Sequence, residues 1–167
     1  MIKKRLLTTV IIGVAILFIA AGIYAKIVPD IIELNDPAYA KHKKGIVKFT
    51  HGKHQSEYAK EYPEFYKNNC GECHHDKDNK PLTGLKEGDD VEKCIECHKI
   101  PSEVPKKLKK EWRKKKISKD EKKKKKMEYH AEAFHENCRG CHKKFNKKYK
   151  PKKAPTTCAK CHPKKKK

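Results

Sequence analysis

The sequence predicts a small, mostly irregular and α domain with little regular secondary structure, organised around groups held by its cysteines and preceded by one N-terminal transmembrane helix. Three observations predict this. All eight cysteines fall in four copies of one pentad. Aliphatic residues after position 40 are too few for a conventional core. An uncharged, mostly apolar run covers Leu6 to Ala25, long enough to cross a bilayer as one helix.

The pentads are Cys70-Gly71-Glu72-Cys73-His74, Cys94-Ile95-Glu96-Cys97-His98, Cys138-Arg139-Gly140-Cys141-His142 and Cys158-Ala159-Lys160-Cys161-His162. Cys-x-x-Cys-His is the attachment signature of a c-type haem. Two thiols bond the two vinyl groups of one porphyrin, and the adjacent histidine reaches the iron. Paired Cys-x-x-Cys motifs also build zinc ribbons, and even cysteine counts in exported chains often mean disulfides. Neither accounts for a histidine after every second cysteine. With 10 His in 167 residues, chance supplies all four about once in 10^5 trials. The expected cofactor is therefore haem c, four copies, covalently attached, and the domain is expected to be organised around them. Four porphyrins supply the apolar mass that the side chains lack, so folding is expected to depend on haem attachment.

The ends set the compartment. Met1-Ile2-Lys3-Lys4-Arg5 precedes the apolar run, and basic residues stay in the cytoplasm. Residues 1–28 read as a transmembrane anchor or a signal sequence; Ala20-Ala21-Gly22 offers small residues for processing. Either reading exports the rest of the chain to the periplasmic side of the cytoplasmic membrane. Residues 29–45, with Pro29, Pro37 and Gly45, read as a linker. Residues 46–163 form the haem-bearing domain, and 164–167 a basic tail.

Within the domain, Ile46-Val47-Lys48-Phe49 has the look of a short strand. Tyr58–Tyr66 reads as a short helix interrupted at Pro63, and 127–142 as a helix leading into the third motif. The first two motifs are separated by turn-rich sequence, and the last two by Pro151 and Pro155. The Lys-rich insert 106–126 holds 14 Lys or Arg against three acids, half of the net charge of +22. Pro105 is placed to start a helix there, with Leu108 and Trp112 on one face and little else to pack. The insert reads either as a solvated, partly disordered segment or as a docking element. Four oxidised haems would leave the chain near +18, at about −1 each, and such a field favours salt-sensitive docking with acidic partners. Nucleic acid is not an expected partner of an exported chain.

Six histidines lie outside the motifs: His42, His51, His54, His75, His130 and His135. Methionine is the usual alternative axial ligand, but the chain has only Met1 and Met127. Bis-histidine coordination follows, with comparatively low potentials and no open iron site. That argues for an electron carrier and against an enzyme.

Val47-Lys48-Phe49-Thr50-His51-Gly52-Lys53-His54, with Cys70-Gly71-Glu72-Cys73-His74-His75, resembles the class III tetrahaem cytochrome c3 family across residues 46–162. The resemblance implies that His51 binds opposite His74 at haem I, His75 opposite His98 at haem II, His54 opposite His142 at haem III, and His135 opposite His162 at haem IV. His130 is the alternative for the last, and His42 is left over. Neighbouring ligands His74 and His75 would hold haems I and II close. The family suggests periplasmic hydrogenase or formate dehydrogenase as donor, a membrane redox complex as acceptor, and proton uptake coupled to reduction through haem propionates. Two other functions compete: a membrane-anchored tetrahaem quinol dehydrogenase feeding a periplasmic reductase, and a multihaem reductase with a five-coordinate haem. The spacing between anchor and first motif weighs against the former.

Overall fold

A computed structural model describes residues 28–151 and 153–164. The anchor or signal expected over residues 1–28 lies outside the described residues but for Val28. Among the described residues no helix is long and apolar enough to cross a membrane. Pro29–Leu85 and Val91–Lys167 form one compact unit. Lys86–Asp90 falls outside it as a tight turn, in which the Lys86 amide donates to the Asp89 carboxylate at 2.8 Å and Gly88 takes φ 90°.

The unit is helical and irregular. Strands β1 (Ile32–Glu33) and β2 (Lys48–Phe49) pair antiparallel, Ile32 opposite Phe49. β2 is shorter than the strand expected over 46–49, and its partner comes from the stretch expected to be a linker. Helices α1 (His51–Gln55) and α2 (Glu57–Glu61) follow. Pro63 ends the run as anticipated, and a 3-10 turn at Pro63–Phe65 takes over because proline fixes φ at a helical first position. A second 3-10 turn, Asn69–Glu72, carries the first motif, and α3 (Cys94–Cys97) the second.

The Lys-rich insert is a helical hairpin rather than a partly disordered segment, and the two residues expected to pack, Leu108 and Trp112, do so with Ile117 beside them. Its arms are α4 (Lys106–Lys114) and α5 (Lys119–Met127), with Pro105 at the N-cap of α4. Lys115 caps α4, and Lys116 just beyond it turns the chain at φ 49°, the left-handed conformation common after a helix C-cap. The Ser118 hydroxyl accepts from the Glu121 amide at 3.1 Å and caps α5, with Asp120 and Glu121 in its first turn. Trp112 of α4 is buried with Val104 and Tyr129, and Ile100, Leu108 and Ile117 pack on them. The partners of Trp112 thus come largely from either side of the insert. Ionic contacts complete the join. Glu132, 5% exposed, receives the Lys109 ammonium at 2.7 Å and that of Lys126 at 3.3 Å, one from each arm.

The helical stretch expected over 127–142 begins later and runs further. α6 (His130–Phe134), a π-turn at His135–Arg139 and α7 (Gly140–Lys148) follow without a break, and α8 (Cys158–Cys161) carries the last motif. Val104, Trp112 and Tyr129 are the buried hydrophobic residues among those described. A side-chain core of that size cannot offset the ordering entropy of more than 100 residues.

Candidate functional site

Each motif histidine faces one histidine from elsewhere in the chain. Ring centres are 6.5 Å apart for His51 and His74, 6.1 Å for His54 and His142, 6.0 Å for His75 and His98, and 6.5 Å for His135 and His162. The number has a simple meaning. With a metal–nitrogen bond of about 2 Å and about 1.1 Å from ring nitrogen to ring centre, two imidazoles on opposite sides of one ion stand about 6.3 Å apart. Imidazoles in direct hydrogen bond or stacked contact would be closer.

The local fold aims these rings. His51 and His54 stand one turn apart on α1, with Phe49 beside both at 5.8 and 4.8 Å. His74 and His75 are neighbours in an extended stretch. A hairpin loop on Asp76 fixes it, with the amides of Asp78 and Lys80 donating to the Asp76 carboxylate at 2.9 and 2.8 Å.

Ring nitrogens are oriented by the backbone. Nδ1 of His54 donates to the Thr50 carbonyl at 2.8 Å, His75 to Asp76 at 2.8 Å, His142 to Pro155 at 2.7 Å and His162 to Gly45 at 2.9 Å; His98 donates to Met127. A carbonyl only accepts, so Nδ1 carries the proton and Nε2 keeps its lone pair. Burial holds His54, His74 and His135 below the usual histidine range, which favours the neutral, ligating form.

His130 stands differently. It is 5% exposed, hydrogen-bonded through Nδ1 to the Tyr39 hydroxyl at 3.1 Å, and edge-on to Phe134. His42 stacks on the same Tyr39 at 5.2 Å. Neither stands opposite a motif histidine, whereas His135 does.

The cysteines converge. Burial pushes the Cys73 thiol up to about 12, with Cys138 and Cys141 adding to it. Burial raises Cys138 to about 11, with Cys161, Cys94 and Cys141 adding to it. The Asn137 side-chain amide donates to the Cys73 carbonyl at 3.2 Å and joins the first motif to the third. Among the described residues no group of three or more His, Cys, Asp or Glu is arranged as one metal cage.

The residues fit haem. Imidazoles come in opposed pairs, each with one member next to a Cys-x-x-Cys pair in the chain. Arg139 keeps its Nε buried without a partner, and its charge acts on both Cys161 and His135. That is a donor positioned for an acidic group such as a propionate. Sequence reasoning missed Arg139, Tyr39 and the carbonyls of Gly45, Met127 and Pro155. Backbone acceptors have no sequence signature, and Arg139 differs from other surface cations only in its surroundings.

No curated protein and no solved structure matches the chain. The Class III cytochrome C family matches residues 29–162, which span β1, all four pentads and every opposed histidine pair. That family is one of multihaem electron-transfer proteins that bind c-type haem, and this chain belongs to it.

Proposed function

We propose that the chain is a periplasm-facing electron carrier with four low-potential bis-histidine haems, tethered to the cytoplasmic membrane through residues 1–28, and not an enzyme. The observation that carries this is the set of four opposed imidazole pairs at 6.0–6.5 Å. Cys70/Cys73, Cys94/Cys97, Cys138/Cys141 and Cys158/Cys161 would hold the four porphyrins. His74, His98, His142 and His162 would bind one face of each iron, and His51, His75, His54 and His135 the other. The haem, when bound, takes up and releases one electron at its iron. With two histidines to hold each haem, the chain would leave no iron position open to a substrate. It donates Nδ1–H to carbonyls, which raises ligand basicity and favours the oxidised form. Adjacent ligands His74 and His75, and the Asn137 link between motifs, hold neighbouring sites close.

The proposed partners are acidic redox proteins: hydrogenase or formate dehydrogenase as donor and a membrane redox complex as acceptor. Charge supports this, since a +22 chain attracts acidic surfaces at long range. Stopped-flow reduction of the holoprotein by hydrogenase and hydrogen is the test. Complete, salt-sensitive reduction with no carbon monoxide adduct is expected. A carbon monoxide adduct would show an iron with an open position and contradict the bis-histidine reading. Rapid reduction in vesicles by a menaquinol analogue without soluble donor would make the protein a quinol dehydrogenase.

A further inference from the structure

The hairpin of α4 and α5 holds half the net charge, and its C-terminal end is hydrogen-bonded to the second motif. The Met127 carbonyl, at the end of α5, accepts from Nδ1 of His98. Two residues on, the Ile100 amide donates to the Glu128 carbonyl at 3.0 Å, and the His130 amide donates to Ile100 at 2.9 Å. Ile100 and Val104 then enter the same small core as Trp112. The stretch leaving the second motif is therefore part of the hairpin's own foundation. Cys94 and Cys97 of that motif are both exposed, whereas Cys138 and Cys141 of the third are half-buried.

The hairpin also has a shaped face. A cavity of about 300 Å³ opens against it, lined by Lys109, Trp112, Arg113, Lys122 and Lys126. Lys109 and Lys126 are engaged by Glu132. Arg113 and Lys122 have no carboxylate partner among the described residues. The result is an apolar hollow lined in part by the largely buried Trp112, with Arg113 and Lys122 among its lining residues.

We propose that this face docks an acidic redox protein, and that the electron crosses at the haem of the Cys94–His98 motif. This rests on the carrier reading above and adds where the partner sits. Carboxylates of the partner would meet Arg113 and Lys122 while an apolar side chain covers Trp112. One electron then leaves the reduced partner, which is oxidised, and reduces the ferric haem held by His75 and His98. A flat anionic leaflet would satisfy the charge but has no use for an apolar hollow, which favours a protein.

The test uses the native full-length holoprotein and a reduced acidic ferredoxin as probe. At low ionic strength, titration with oxidised ferredoxin is expected to shift the nuclear magnetic resonance signals of the haem attached to Cys94 and Cys97 before the others. Arg113→Glu with Lys122→Glu should slow reduction by ferredoxin about tenfold, while photoreduced 5-deazariboflavin, a small strong reductant with no docking surface, reduces both proteins equally. Reversal of Lys143 and Lys147 on α7 should do far less. Primary shifts at another haem, or equal losses in the two double variants, overturn the docking site and leave the carrier reading intact. Protection of Lys106–Met127 from hydrogen exchange in phosphatidylglycerol nanodiscs, without protection by ferredoxin, assigns the face to lipid and also overturns it. A native protein that photoreduced 5-deazariboflavin reduces but ferredoxin neither reduces nor shifts overturns the acidic-partner reading itself.

Discussion

His135 faces His162 with ring centres 6.5 Å apart, while His130, on the same continuous helical run, is hydrogen-bonded to Tyr39. Five residues on an α-helix turn through about 140° from the starting face, so only one of the two can point at the last motif. His135→Ala is expected to convert one haem to high spin and leave the rest low spin. His130→Gln should leave every haem low spin. The visible absorption spectrum of the oxidised protein distinguishes these outcomes.

Gly45 is held against the last motif. A Cβ there would lie 2.2 Å from the Pro163 carbonyl oxygen, and the Gly45 carbonyl accepts from His162 Nδ1 at 2.9 Å. Gly45→Ala must move the loop and weaken that bond. We expect about 1–2 kcal/mol of destabilisation and a rise in the potential of one haem, because a less basic imidazole stabilises the oxidised iron less. Thermal unfolding and potentiometric titration check the two effects.

Glu132 ties both arms of the hairpin to α6. Burial opposes its ionisation, but the hydrogen bond from Lys109 and the charges of Lys109 and Lys126 outweigh it and hold the carboxyl below its usual 4.5. The lysine side chains are 43% and 31% exposed, so solvent screens the pairs. Glu132→Gln should cost about 1–2 kcal/mol, seen as faster hydrogen exchange over Lys106–Met127. A folded-state pKa below the unfolded one adds stability above the unfolded value. That contribution should be present above about pH 4.5 and fade as pH falls towards the folded pKa. The Gln variant should lack this dependence.

With Val104, Trp112 and Tyr129 as the buried hydrophobic residues among those described, the chain made without haem attachment should not keep its helices. Far-ultraviolet circular dichroism of that chain is expected to show mostly irregular structure, against clear helix in the holoprotein.

Much of the site was legible because its chemistry is local in sequence. The pentads announce haem by residue type alone, and the scarcity of methionine points to imidazole. The opposed pairs in the structure are those that the family resemblance implied. What could not be read depends on contacts distant in sequence. The choice between His130 and His135 rests on helix phase and on Tyr39, 91 residues from His130. The insert's own apolar residues are too few to choose between a solvated segment and an ordered element; Trp112 is buried with Val104 and Tyr129, which flank the insert. β1 escaped notice because two residues carry no alternation, and it exists only through its pairing with β2.

Electron paramagnetic resonance of the oxidised native holoprotein, integrated against total haem from a pyridine haemochrome assay, tests the central claim that eight histidines are paired across four irons. The account predicts four low-spin ferric haems per chain with no high-spin signal. Fewer than four haems, or a high-spin signal from the intact protein, would contradict it.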